Sequence, residues 1–157
     1  MYRYLGAGLP NVYLESGYRE IDTPYGKSVS IHDLEGLHAA LGEMIAAKPC
    51  KLSGYEFRFL RTELDLSQAT LAQALGCDVQ SIARWETGKS KKVNAPAERL
   101  LRVLYEQTKC GGKKLAPLLE RLQKLDASKP EESVIVAKEE KASWSAQLEQ
   151  ADYIQCA

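Results

Sequence analysis

The sequence predicts a mainly α protein in three parts. A small β-rich N-terminal module with one helix covers residues 1–50, a five-helix domain covers 51–126, and a flexible acidic tail covers 127–157. Three observations carry this. Leucines recur at helical spacing in segments that each open on a capping residue. Five of the eight tyrosines fall before residue 31, among β-prone pieces separated by turn signals. Beyond Leu125 the composition becomes polar and Lys/Glu-rich, with one apolar island at Val134-Ile135-Val136.

The elements follow in order. Val12-Tyr13-Leu14 and Tyr18-Arg19-Glu20-Ile21 read as strands parted by the Ser16-Gly17 turn. Thr23-Pro24-Tyr25-Gly26 reads as a second turn and Val29-Ser30-Ile31 as a third strand, so a small antiparallel sheet is expected. Asp33 caps a helix with Leu34, Leu37, Leu41 and Ile45 on one face, ending near Lys48-Pro49. Ser53-Gly54-Tyr55-Glu56 has the form of a capping box. Its helix sets Phe57, Leu60 and Leu64 on one side. Ser67 caps the next helix, which ends at Gly76, and Asp78 caps the one after it, reaching about Thr87-Gly88. Asn94, with Pro96 in the first turn, opens a helix holding Leu100, Leu101 and Leu104. A last helix bearing Leu115, Leu118, Leu119, Leu122 and Leu125 follows Gly111-Gly112. In the tail, Trp144, Leu148 and Tyr153 suggest a weak helix.

The formal net charge is zero, which excludes a wholly basic nucleic-acid protein but not a basic domain balanced elsewhere. Residues 1–50 carry 4 basic and 6 acidic side chains, 51–126 carry 14 and 9, and 127–157 carry 3 and 6. The middle part is thus the candidate for a polyanionic partner. No apolar run approaches the ~18 residues of a membrane span, and the N-terminus lacks the apolar stretch of a secretory signal. Cys50, Cys77, Cys110 and Cys156 lie far apart without a C-x-x-C pair, so free thiols in a reducing cytoplasm are expected, with no metal. His32 and His38 lack a partner cluster and read as capping or surface histidines. Gly6-Ala7-Gly8 opens no phosphate cradle. No catalytic residue and no cofactor are expected, so the chain does not read as an enzyme.

The segment 66–92 is the most informative. Two helices meeting at a steep angle need a small residue inside the first, and Ala72 is there. They need a turn residue that tolerates positive φ, and Gly76 is there. Leu71 and Leu75 face inward on the first helix, and Val79 or Ile82 with Trp85 on the second. The pattern S-Q-x-x-L-A-x-x-L-G followed by S-I-x-x-W-E-x-G-K resembles the helix-turn-helix of the phage-repressor (Xre/Cro-type) family, over about Ser53 to Tyr105. The resemblance implies a DNA-binding domain whose second motif helix enters the major groove. Val79, Gln80, Ser81 and Arg84 are then the base-reading residues, with the Gln80 amide suited to bidentate pairing with adenine. Asp78 reads as a helix cap. Ser67, Gln68, Lys89, Ser90, Lys91 and Lys92 are expected on phosphates. Arg61 and Glu86 are expected to form a partly buried ion pair locking the first helix to the recognition helix. Ala72, Gly76, Ile82 and Trp85 are expected to pack the motif.

The order of a small β-rich module followed by such a domain is similar to antitoxins of the MqsA type. This chain lacks the two C-x-x-C pairs of their zinc module. The expected function is a sequence-specific DNA-binding transcription regulator, a repressor, acting as a homodimer on an inverted repeat of double-stranded DNA. The alternative is an antitoxin-like module that binds a protein partner, such as a toxin, through residues 1–50 or the tail.

Overall fold

Residues 2–89, 92–111, 115–117, 119–120, 133–140 and 143–150 are described by a computed structural model, the last two stretches by their backbone alone. The N-terminal residues form short antiparallel pairs. β1 (Tyr2–Arg3) pairs with β2 (Tyr13–Leu14), and β3 (Tyr18–Thr23) pairs with β4 (Gly26–Ile31) as a hairpin closed by Pro24 and Tyr25. The expected single small sheet is therefore two separate ladders, because β1 takes Tyr13–Leu14 as its partner and leaves the hairpin alone.

α1 (Leu34–Ala47) starts on Asp33, which sits in the left-handed region at φ 50° while its carboxylate accepts from Gly36 N. α2 (Gly54–Glu63) starts on a complete capping box: Ser53 Oγ accepts from Glu56 N, and Glu56 accepts from Ser53 N. α3 (Gln68–Leu75), α4 (Val79–Glu86) and α5 (Ala95–Tyr105) are capped by Ser67, Asp78 and Asn94 as their sequences require. A π-helical turn, Glu106–Cys110, extends α5. Of the last expected helix, residues 115–117 and 119–120 are helical, and Leu115 and Leu119 pack against the core. Leu118, Leu122 and Leu125 lie outside the described residues.

Among the described residues of the first unit, one core joins the loop after β1 to helices α1 through α5. Leu9 and Ile45 join Phe57, Leu60, Leu71, Ile82, Leu101 and Tyr105 in the same cluster, each 2% exposed or less. Full burial of such side chains is worth about 1.5–3 kcal/mol each. The boundary expected at residue 50 is thus not a gap in packing. The apolar face of α1 completes the core of the helices after it instead of closing a separate module. The linker between α1 and α2 is tied down by Arg102, whose guanidinium donates to the carbonyls of Ala46 (2.9 Å), Lys48 (2.6 Å) and Cys50 (2.6 Å) and to Glu98 Oε1 (2.8 Å). These are terminal carbonyls that α1 cannot satisfy itself.

His38 makes the second tie. Its Nε2 lies 2.8 Å from Tyr4 Oη, its Nδ1 lies 2.8 Å from Glu63 Oε1, and its ring meets Phe59 edge-on. Burial, then Glu63 and Tyr2, push the Tyr4 phenol up, so its hydroxyl stays protonated beside Nε2. Nδ1–H then donates to Glu63. His38 is therefore a structural bridge, not the surface histidine its sequence context suggests. His32 is exposed.

Lys124–Ala157 forms a second unit. In it β5 (Ser133–Glu140) and β6 (Ser143–Gln150) make an antiparallel hairpin, Ser133 facing Gln150 and Glu140 facing Ser143. The weak helix expected through Trp144 and Leu148 is replaced by strand, in which Val134-Ile135-Val136 finds a partner opposite Gln147–Glu149. Tyr153 lies outside the described residues.

Two outcomes test this packing. A Cβ at Gly54 would overlap the Trp85 carbonyl oxygen, a backbone atom that cannot step aside. Gly54→Ala should therefore cost about 1–3 kcal/mol of unfolding free energy in urea. Burial alone would raise the Glu56 carboxyl, but hydrogen bonds from Lys48 and Ser53 outweigh it and hold it below the usual value. Its folded pKa is thus the lower one, so its stabilisation is complete above about pH 4.3 and fades as pH falls through the folded value. Glu56→Gln should flatten that acid limb when unfolding is followed between about pH 3 and 6.

Candidate nucleic-acid interface

The turn between α3 and α4 is built as the sequence demands. Gly76 adopts φ 63°, and Cys77 N–H donates to Ala72 O at 3.0 Å, closing α3. Ala72, 1% exposed, lets the two helices approach. Ile82 is fully buried, and Trp85 sets its ring edge against Phe57 at 5.9 Å. Of the two candidates for the inner face of α4, Ile82 takes it and Val79 stays 43% exposed. Burial, then the Asp78 carboxylate, push the Cys77 thiol up, so it remains a protonated small side chain in the turn.

α4 is held from below by a buried carboxylate. Glu86, 4% exposed, receives Arg61 Nε at 2.5 Å on Oε1, and Arg61 Nη2 at 2.9 Å on Oε2. Gln68 Nε2 adds a third bond to Oε2 at 2.8 Å. Arg61 Nη1 donates to the Leu66 carbonyl at 2.6 Å, so one guanidinium joins α2, the loop before α3, and α4. Such a two-pronged pair fixes orientation as well as distance. Gln68 was expected on a phosphate, and its amide here points into this network at the start of α3. Ser67 caps α3 by accepting from Thr70 N at 3.0 Å.

The outer face of α4 is polar and free. Gln80 and Arg84 are exposed one turn apart. Asp78 Oδ1 accepts from Ser81 N at 2.8 Å and Oδ2 from Ser81 Oγ at 2.7 Å. The Ser81 bonds hold the Asp78 carboxyl below its ordinary range. Arg84 Nη2 reaches the Ser81 hydroxyl at 3.2 Å, so Ser81 is engaged on both sides. Asp78 is thereby committed to the cap. Lys89 and Lys92 are exposed in the loop after α4, and Ser90 and Lys91 lie outside the described residues.

The α3–α4 pair, the polar exposed face of α4 and the lysine-bearing loop after it follow one another in the chain. The family model for helix-turn-helix domains matches residues 57–104, from the middle of α2 to near the end of α5. Residues 57–104 belong to the Xre/Cro-type helix-turn-helix family. This helix-turn-helix domain is a DNA-binding domain of the regulator type. Comparison with curated proteins and with solved structures returns no match. Among the described residues, no helix is long and apolar enough to cross a membrane.

Sequence reading missed the contributions of Gly54, Gln68 and Leu66 to holding α4. Only the glycine left a signal: it follows a capping serine directly, where any small side chain would otherwise serve.

Removing Glu86 leaves a buried guanidinium without its counter-charge. Glu86→Ala should cost about 3–5 kcal/mol in urea unfolding. The double variant Arg61→Met/Glu86→Leu should cost less than Glu86→Ala alone, because neither charge is then stranded.

Proposed function

We propose that this chain is a sequence-specific transcription regulator, a repressor, that binds an inverted-repeat operator as a homodimer in the cytoplasm. The observation that carries the reading is the exposed Gln80–Arg84 face of α4, held in place by the buried Arg61–Glu86–Gln68 network. On this reading α4 lies in the major groove. Gln80 pairs with adenine, Arg84 reaches a guanine or a phosphate, Val79 touches a thymine methyl, and Ser81 lies beside them. Ser67, Gln68, Lys89, Ser90, Lys91 and Lys92 flank the groove and meet phosphates, with the N–H groups at the start of α3 adding donors. For Gln68 this uses the part of its amide not bonded to Glu86. The two recognition helices of a dimer lie about one turn of B-DNA apart, ~34 Å. The reading assigns no catalytic step.

Exposed Leu5, Tyr13 and Tyr25 support a second, compatible reading, in which the chain is also an antitoxin-like module that docks a protein partner, such as a toxin, through residues 1–50. Coexpression with the product of a neighbouring reading frame tests it. Failure of that product to remain bound to the full chain counts against it.

An operator selected from a random oligonucleotide pool tests the main reading. Gln80→Ala should reduce discrimination at one base position by about 1–3 kcal/mol. Lys89→Ala and Lys92→Ala should weaken all DNA alike and each lower the salt slope by about 0.9. A chain that binds every sequence equally would sink the proposal.

A further inference from the structure

The β3–β4 hairpin stands apart from the other ladders. Among the described residues no strand pairs with either of its outer edges. The phase of its hydrogen bonds says which backbone groups those edges offer. His32 N–H donates to Gly17 O at 2.9 Å, and Arg19 faces Ser30, Ile21 faces Ser28 and Thr23 faces Gly26. Hydrogen-bonded and non-bonded pairs alternate in an antiparallel ladder. The non-bonded pairs are therefore Tyr18–Ile31, Glu20–Val29 and Asp22–Lys27. The N–H and C=O groups of Lys27, Val29 and Ile31 point outward from β4, and those of Tyr18, Glu20 and Asp22 point outward from β3.

The two edges differ in what they can accept. A two-fold axis at the centre of the β3 edge would set Glu20 against its own copy and Tyr18 against Asp22. Like charges directly opposite are destabilising, and charged edges of this sort block pairing. A two-fold axis through Val29 on the β4 edge sets Val29 against Val29 and Lys27 against Ile31. No like charges meet there. Each of the three facing pairs can exchange two N–H···O bonds. The axis runs through the sheet, so side chains keep their face. The half-buried Tyr18, Val29 and Ile31 of one copy then continue into Val29 and Ile31 of the other. A lone two-stranded hairpin is marginal in water, whereas four strands are not.

We propose that β4 is the dimer edge, where two copies of this chain pair antiparallel about Val29 to form a continuous β3–β4–β4–β3 sheet. The inference rests on the dimer reading above and adds the surface that makes it.

The test uses the full chain. The Val29 N–H points away from β3, so Val29→Pro removes only an outward donor and leaves the hairpin ladder intact. By symmetry it deletes two intermolecular bonds. Sedimentation equilibrium should show a dimer for the parent chain and a dimer dissociation constant raised about tenfold or more in Val29→Pro. With Cys50, Cys77, Cys110 and Cys156 replaced by serine, Val29→Cys should form a disulfide-linked dimer under mild oxidation, and Glu20→Cys should not. Parent-like dimerisation of Val29→Pro, or failure of Val29→Cys to cross-link, overturns the proposal. Protection of β4 amides from exchange only when a different protein is bound also overturns it and assigns the edge to that partner. A monomeric parent chain overturns both this surface and the dimer reading, while operator preference in that monomer would still uphold base reading by α4.

Discussion

Glu86 is the point on which the placement of α4 depends. A carboxylate at the end of an eight-residue helix, 4% exposed, is tolerated only because three donors converge on it. Those donors come from α2 and α3, so the charge cannot be satisfied unless all three helices hold their places. Two faces of α4 are thereby decoupled. Ile82, Trp85 and Glu86 make its position, and Val79, Gln80 and Arg84 lie outside the buried network that holds it. A surface of this kind can change its side chains at little cost to the fold.

The N-terminal residues bear on the same helices from the other side. α1 meets α2 through Phe59 and His38, and Glu63 at the end of α2 accepts a hydrogen bond from the imidazole. Tyr4 reaches the same ring from the loop after β1. Whatever binds the front of the molecule therefore acts on a segment already bonded to the helix that carries Arg61. That route is contiguous and polar, and it contrasts with the exposed β3–β4 hairpin, where the Tyr18 ring meets the Tyr2 ring with centroids 5.3 Å apart.

Much of the helical part was legible because its signals are local. Ser53, Ser67, Asp78 and Asn94 each bond the N–H three residues on, so their caps are written within four residues of sequence. Gly76 in the motif turn was equally plain. What escaped depends on pairs far apart in the chain. His38 and Arg102 find partners twenty-five to fifty-seven residues away, and no spacing rule relates such positions. Gln68 was legible as a polar residue at a helix start, but its choice between phosphate and Glu86 is decided by the fold. The tail was misread as weakly helical because Trp144 and Leu148 lie four apart, a spacing equally open to strand once β5 provides the opposite face.

Arg102 has a consequence for how the molecule comes apart. Its guanidinium holds the terminal carbonyls of α1 and the linker from the last turn of α5. Peeling α1 away would strand those carbonyls, expose Ile45 and release the linker that seats Gly54 against α4. Local opening of the front is thus expensive, and α1 and α4 share one cooperative unit of opening. Their slowest amide protons should then exchange with solvent at a common free energy, with α4 no looser than the core that carries it.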